Sequence, residues 1–237
     1  VKTLALLAVL AIGQPFLGAA EPGTAPAVGG ATAEAARQPT GPERWEKDIK
    51  AFEAADAKSF PAPGGNVFVG SSSIVKWQSL LKDFAPAPVI KRGFGGSQIS
   101  DSLYFAERII LPYKPKRVFV YAGDNDLAAK RTPAQVAADF AAIVAKVHQA
   151  LPATHVSFIA IKPSPARVKL MPEIKETNAL VKAFTATHPE ASLIDVYTPM
   201  LSADGQPRPE LFGDDHLHMN AAGYAIWVGI IKPLLAD

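Results

Sequence analysis

Five short apolar runs, at 67–69, 89–90, 117–122, 155–161 and 193–196, alternate with longer stretches of helical spacing. This alternation constrains the fold more than any other feature of the chain. The runs are continuously apolar rather than apolar on every second residue, so both faces of each strand must be covered. Strands separated by helices pair in parallel through right-handed crossovers. The expected fold class is therefore α/β, a three-layer α/β/α sandwich with a parallel sheet of about five strands.

The helical stretches are equally legible. Residues 43–58 put Trp45, Ile49, Phe52 and then Ala55 or Asp56 at helical spacing, and Phe60-Pro61-Ala62-Pro63-Gly64-Gly65 ends the pattern. Residues 74–84 predict a short helix with Trp77, Leu80 and Leu81 on one side. Further helices are expected at 99–111, stopped by Pro112, and at 171–188, stopped by Pro189. A long helix at 132–151 has Thr132 as cap and Pro133 at its first position. Residues 204–215 read as loop and 220–235 as a closing helix.

The 237 residues are 49% hydrophobic and 19% charged, enough for one domain, placed at 43–237, with a sizeable core. A formal charge of +2 gives no bulk electrostatic case for nucleic acid. Without cysteine, disulfides, zinc–thiolate sites and a cysteine nucleophile are excluded. Lys2, an apolar run at 4–16 and the small residues Leu17-Gly18-Ala19-Ala20 predict a signal peptide at 1–20. The run is too short and interrupted for a comfortable membrane span. The expected protein is exported, periplasmic or secreted, with a flexible Ala/Gly/Pro-rich lead-in at 21–42. An uncleaved anchor is the alternative.

Ligands of an open parallel sheet gather outside the carboxyl ends of its strands. Three strand exits here carry chemistry: Gly70-Ser71-Ser72-Ser73, Gly93-Phe94-Gly95-Gly96-Ser97 and Gly123-Asp124-Asn125-Asp126. Ser72 offers a hydroxyl, Gly95-Gly96 offers unobstructed backbone N–H groups, and Asn125 offers an amide that can donate to an oxyanion. Each alone has a plain explanation: a helix cap, a loop, a turn. A fourth stretch, residues 212–220, holds Asp215 and His218 three apart, a spacing that lets the carboxylate reach the imidazole.

Taken together and in this order, the four stretches resemble the SGNH hydrolases, the GDSL-like esterases and lipases. The four signature residues of that family match Ser72, Gly96, Asn125 and His218. The first block departs from the common Gly-Asp-Ser, with Ser71 where Asp is usual, and leaves Ser71 and Ser73 flanking the candidate nucleophile. The resemblance covers about residues 66–235. It implies a flavodoxin-like sandwich, no metal or other cofactor, and ester hydrolysis through an acyl-enzyme. Ser72 would attack, His218 would take its proton, and Asp215 would orient His218. The N–H groups of Ser72 and Gly96 and the Asn125 amide would hold the oxyanion. Ile74 closes the first block where an α/β-hydrolase elbow requires glycine, which argues against that other serine-esterase fold.

The expected substrate is a small acyl or acetyl ester, including esters on carbohydrates. Three other readings share these residues: an acyltransferase on the same fold, a non-catalytic exported glycan-binding module, and a metal-dependent phosphoesterase using Asp124, Asp126, Asp214, Asp215, His216 and His218. His216 is the rival of His218, but lies too close to Asp215 for the required pairing. His148 and His155 read as structural or solvated and His188 as a helix end, Trp77 and Trp227 as core or rim packing, residues 162–172 as a pocket wall, and Arg92 as solvent-exposed.

Overall fold

Asn66–Gly70, the first strand (β1), is buried along its whole length and sits inside the sheet. Alternate side chains enter two different cores. Val67 and Val69 join one with Val118, Val120, Val156 and Phe158, while Phe68 joins the other with Phe119, Tyr121 and Ile159. Period-two alternation on strands apolar on both faces is what a covered parallel sheet requires. The structure, a computed structural model, describes residues 41–235, and all of these fall within one compact unit at 38–237. The leader expected at 1–20 and all but the last two residues of the lead-in expected at 21–42 lie outside the described residues.

In chain order, α1 (Glu46–Asp56) precedes β1. Then follow α2 (Ser72–Val75), α3 (Leu80–Asp83), β2 (Val89–Gly93), α4 (Ile99–Tyr104), α5 (Ala106–Ile109) and β3 (Arg117–Tyr121). The second half holds α6 (Asp124–Ala128), α7 (Pro133–Ala150), β4 (His155–Ile159), α8 (Met171–Thr185), β5 (Ala191–Ile194) and α9 (Ala221–Ile231). All strand pairs are parallel, in the order β2-β1-β3-β4-β5. Helices α1, α4, α5, α7 and α8 cover one face, and α2, α3 and α9 contribute to the other core. The chain crosses from β1 to β2 on one side and returns to β3 on the other, so the topological switch point lies between the carboxyl ends of β1 and β3.

Local chemistry explains the boundaries. Thr132 caps α7 by accepting from Gln135 N–H at 3.2 Å, and Gln135 Oε1 accepts from Thr132 N–H at 2.9 Å. Asn220 caps α9 through Ala222 and Gly223 N–H. The last strand ends two residues before the expected 196, because Asp195 turns to accept from the Thr198 N–H and hydroxyl. The expected helix at 74–84 is split in two. Trp77 turns inward between them, packs on Phe68, Phe84, Tyr224 and Trp227, and donates to Asp83 Oδ2 at 2.8 Å. Leu81, expected beside Trp77, is exposed. The expected helix at 99–111 is likewise two short helices.

Arg92 corrects another expectation. It is 8% exposed rather than solvent-facing, because three acceptors meet it: Asp56 Oδ1 at 2.5 Å, Tyr113 OH at 2.7 Å and Lys91 O at 2.9 Å. A guanidinium leaves water only when its donors are satisfied in this way.

Candidate active site

Backbone hydrogen bonds carry the sheet ladders one step past the strands and tie the exits together. Ser71 N–H donates to Tyr121 O at 2.9 Å and Phe94 N–H donates to Gly70 O at 2.9 Å. Asp126 Oδ1 accepts from Ile99 N–H at 3.1 Å, joining the β3 exit to the start of α4. The Gly70, Gly93 and Gly123 turns therefore form one rigid rim at the switch point.

Ser72 is the first residue of α2 and half-buried. Ser71 stands at the cap position without making a side-chain cap bond, and is 0% exposed; Ser73 is 1% exposed. Of the three adjacent hydroxyls, only that of Ser72 meets the imidazole: its Oγ lies 2.9 Å from His218 Nε2. His218 Nδ1 lies 2.6 Å from Asp215 Oδ2. The carboxylate is further satisfied at Oδ1 by the N–H of His218 at 2.8 Å and of Leu217 at 3.0 Å. The imidazole bond, followed by these two, holds the Asp215 carboxyl well below the usual carboxylate range, so it stays ionised. Lys76 Nζ lies 3.7 Å from Asp215 Oδ2, a contact not foreseen from the sequence.

The loop that presents this pair is a closed turn. Phe212 and Met219 form an antiparallel bridge, and Gly213 N–H donates to His218 O at 2.9 Å. Asn220 Nδ2 donates to Glu210 O and Phe212 O, fastening the loop to the start of α9. His216 takes a positive φ of 53° and accepts from Ala166 N–H through its carbonyl, so the stretch expected as a pocket wall does border this loop.

Asn125 and Gly96 sit on the neighbouring exits. Asn125 Nδ2 donates to Ser97 O at 3.1 Å, which orients the amide toward the second exit and occupies one of its two hydrogens. Gly96 has φ of +80°, a conformation L side chains rarely adopt, and a Cβ there would press on the Trp45 ring at 3.3 Å. Gly96 itself is exposed.

Behind this rim lies a buried polar group that sequence reasoning missed. Lys162, beyond the end of β4, donates to Tyr121 OH at 2.9 Å and Asp124 Oδ2 at 3.1 Å. Its only sequence signal is a lysine closing the apolar run 155–161. Among the described residues no group of three or more His, Asp or Glu side chains could hold a metal ion. A groove of about 620 Å³ runs along β5 and α8, lined by residues such as Asn178, Leu193 and Tyr197, and none of the five site candidates borders it.

Burial pushes the Asp126 carboxyl up to about 7, against the pull of the Ile99 N–H and Arg131. The folded chain then keeps a proton that the unfolded chain has released, so stability falls as pH rises from about 4 through 7. Asp126→Asn keeps an acceptor for Ile99 and removes the charge. Its Tm is expected to drop less between pH 5 and pH 8 than that of the wild type, by differential scanning calorimetry. An unchanged pH dependence would show that Asp126 is ionised throughout.

The GDSL-like Lipase/Acylhydrolase family model matches residues 59–226. Platelet-activating factor acetylhydrolase IB subunit alpha1 of Homo sapiens is 29% identical over 171 residues, covering 67% of this chain and 69% of that protein. Among solved structures, a GDSL-like lipase from Bacteroides thetaiotaomicron superposes with a TM-score of 0.69 at 19% identity, over 79% of this chain and 96% of that one. A catalytic mutant of Axe2, an acetylxylan esterase from Geobacillus stearothermophilus, superposes with a TM-score of 0.59 at 13% identity, over 74% and 95%. Both superpositions show the shared fold. The resemblance read from the four motifs is thus borne out at the level of the family. A match running from before β1 into α9, on a sheet of this order, makes the chain a member of the GDSL-like lipase/acylhydrolase family, hydrolases acting on esters.

Proposed function

We propose that this protein is a serine esterase that hydrolyses small acyl or acetyl esters through an acyl-enzyme. The observation that carries this reading is the continuous chain from Ser72 Oγ to His218 Nε2 at 2.9 Å and from His218 Nδ1 to Asp215 Oδ2 at 2.6 Å. A nucleophile, a base and an orienter in hydrogen-bond reach are what acyl transfer to serine requires. Ser72 Oγ attacks the ester carbonyl carbon and its proton passes to His218 Nε2. The ionised Asp215 stabilises the resulting imidazolium. The carbonyl oxygen, now negative, accepts from the N–H groups of Ser72 and Gly96 and from the Asn125 amide hydrogen not held by Ser97. The alkoxy C–O bond then breaks and His218 protonates the departing alcohol. Water repeats the sequence, giving its proton to His218 and releasing the carboxylic acid and free Ser72.

A small acyl group is supported by the names of two relatives, an acetylhydrolase and an acetylxylan esterase. The test is treatment with a serine-directed organophosphonate during p-nitrophenyl acetate hydrolysis. Activity is expected to fall in step with one phosphonyl addition, mapped by mass spectrometry to the peptide holding Ser72. Addition elsewhere, or undiminished turnover, would overturn the reading, and no addition at all would favour a binding module. Asn125→Ala is expected to lower kcat about 100- to 1,000-fold with little change in KM, the usual loss for one oxyanion donor. A wild-type kcat would remove Asn125 from the oxyanion site.

A further inference from the structure

The turn that carries Asn125 is braced by a charge pair that no step of the reaction consumes. Lys162 is 1% exposed and Asp124 is 5% exposed. One oxygen of the carboxylate, Asp124 Oδ2, accepts from Lys162 Nζ at 3.1 Å. The other, Oδ1, accepts from Asn125 N–H at 3.0 Å. A single carboxylate therefore links the exit of β4 to the backbone of Asn125 on the exit of β3. The Lys162 end is itself fixed. The Asn178 amide on α8 clamps the preceding residue, accepting from Ile161 N–H at 2.9 Å and donating to Ile161 O at 3.1 Å. Asn125 is held at two points: its backbone by Asp124 and its side chain by Ser97 O.

Burial acts to discharge Lys162, but Asp124 and then Tyr121 outweigh it and the net shift is upward. Burial likewise opposes the Asp124 charge, and Lys162 outweighs it. Both groups stay ionised. A buried ion pair is seldom the most stable filling for its volume, since apolar side chains of similar size serve as well or better. What such a pair supplies instead is a fixed direction, because charged hydrogen bonds tolerate little displacement in a dry site.

We propose that Lys162 is a positioning residue for the esterase reaction: through the Asp124 carboxylate it holds the Asn125 amide where the developing oxyanion needs a donor. The proposal rests on the reading that Asn125 donates to that oxyanion. An amide displaced by about 1 Å from its productive place can cost on the order of 100-fold in rate, so the tether matters even though it touches no reacting atom.

The decisive variant is Lys162→Met with Asp124→Asn. It leaves no unpaired buried charge and retains an acceptor for Asn125 N–H. Its kcat for p-nitrophenyl acetate is expected to fall about ten- to 100-fold, with KM within about twofold of wild type and a folded state verified by circular dichroism. Placed in an Asn125→Ala background, the same pair of changes is expected to cost less than about threefold more, because the group it positions is gone. A wild-type kcat in the folded double variant, or a full multiplicative loss in the Asn125→Ala background, would overturn the proposal while leaving the oxyanion reading intact. A wild-type kcat for Asn125→Ala alone would overturn the oxyanion reading and the proposal with it. Should the double variant not fold, Lys162→Arg keeps the charge but shifts the donor. It is expected to lose kcat several-fold only where Asn125 is present, and an equal loss without Asn125 would again overturn the positioning role.

Discussion

Ser72→Ala is expected to lower kcat/KM for p-nitrophenyl acetate by about 10⁴-fold or more, in the presence of chelator throughout. Losing the nucleophile of such a triad removes the covalent route and leaves only what binding and oxyanion donors contribute. The neighbouring serines make the control unusually sharp. Ser71 and Ser73 present the same chemistry one residue away, yet both are shut from solvent and neither hydroxyl meets the imidazole. Ser71→Ala and Ser73→Ala are therefore expected to stay within a few-fold of wild type, since no deleted atom faces substrate. The tyrosine beneath, Tyr224, holds the Ser73 carbonyl rather than its hydroxyl, at 2.9 Å, so that contact survives the change. Turnover retained in Ser72→Ala would move the nucleophile elsewhere. Turnover lost in wild type on adding chelator would point to a metal-assisted reaction.

Gly70→Ala is expected to be the most destabilising single methyl that the rim can receive, by more than about 4 kcal/mol. The residue has φ of +137°, and a Cβ built on it would lie 1.9 Å from the Tyr121 carbonyl oxygen. That oxygen already accepts from Ser71 N–H, so relief by moving it would break the bond that joins the β1 and β3 exits. Gly95→Ala is the matched control. No atom lies within 4 Å of its would-be Cβ and it has no left-handed backbone, so a change within about 0.5 kcal/mol is expected. Urea unfolding of the two variants separates them. Equal stabilities would mean that the turn relaxes without cost and that Gly70 is not what fixes it.

The sheet was legible because its signal is local. Continuous apolar runs mark each strand, the first three ending at glycine, and the parallel direction follows from the helices between them. The pairing of Asp215 with His218 was legible for the same reason: three residues of loop suffice to bring them together. Features that depend on distant partners were not. Arg92 finds Asp56 36 residues away and Tyr113 21 residues away, and nothing around Arg92 announces either. Lys162 and Asp124 are 38 residues apart, and nothing in the sequence near either one pairs it with the other. The choice among Ser71, Ser72 and Ser73 depended on which hydroxyl faces the imidazole, a matter of the turn's three-dimensional course. The split of the helix at 74–84 followed from Trp77, whose burial outweighed the continuity of the pattern.

The imidazole reaches its serine across 146 residues of chain, and Tyr224 of the closing helix reaches the Ser73 carbonyl across 151. Contacts of such separation form only after the intervening loops have closed. During synthesis the serine leaves the ribosome long before the loop that bears His218. A nascent chain of any length short of residue 218 carries the hydroxyl without the imidazole that meets it in the folded chain. On the proposed mechanism, the loop that bears His218, made just before the last helix, is what arms Ser72, and a translation product interrupted before it holds the serine without that base.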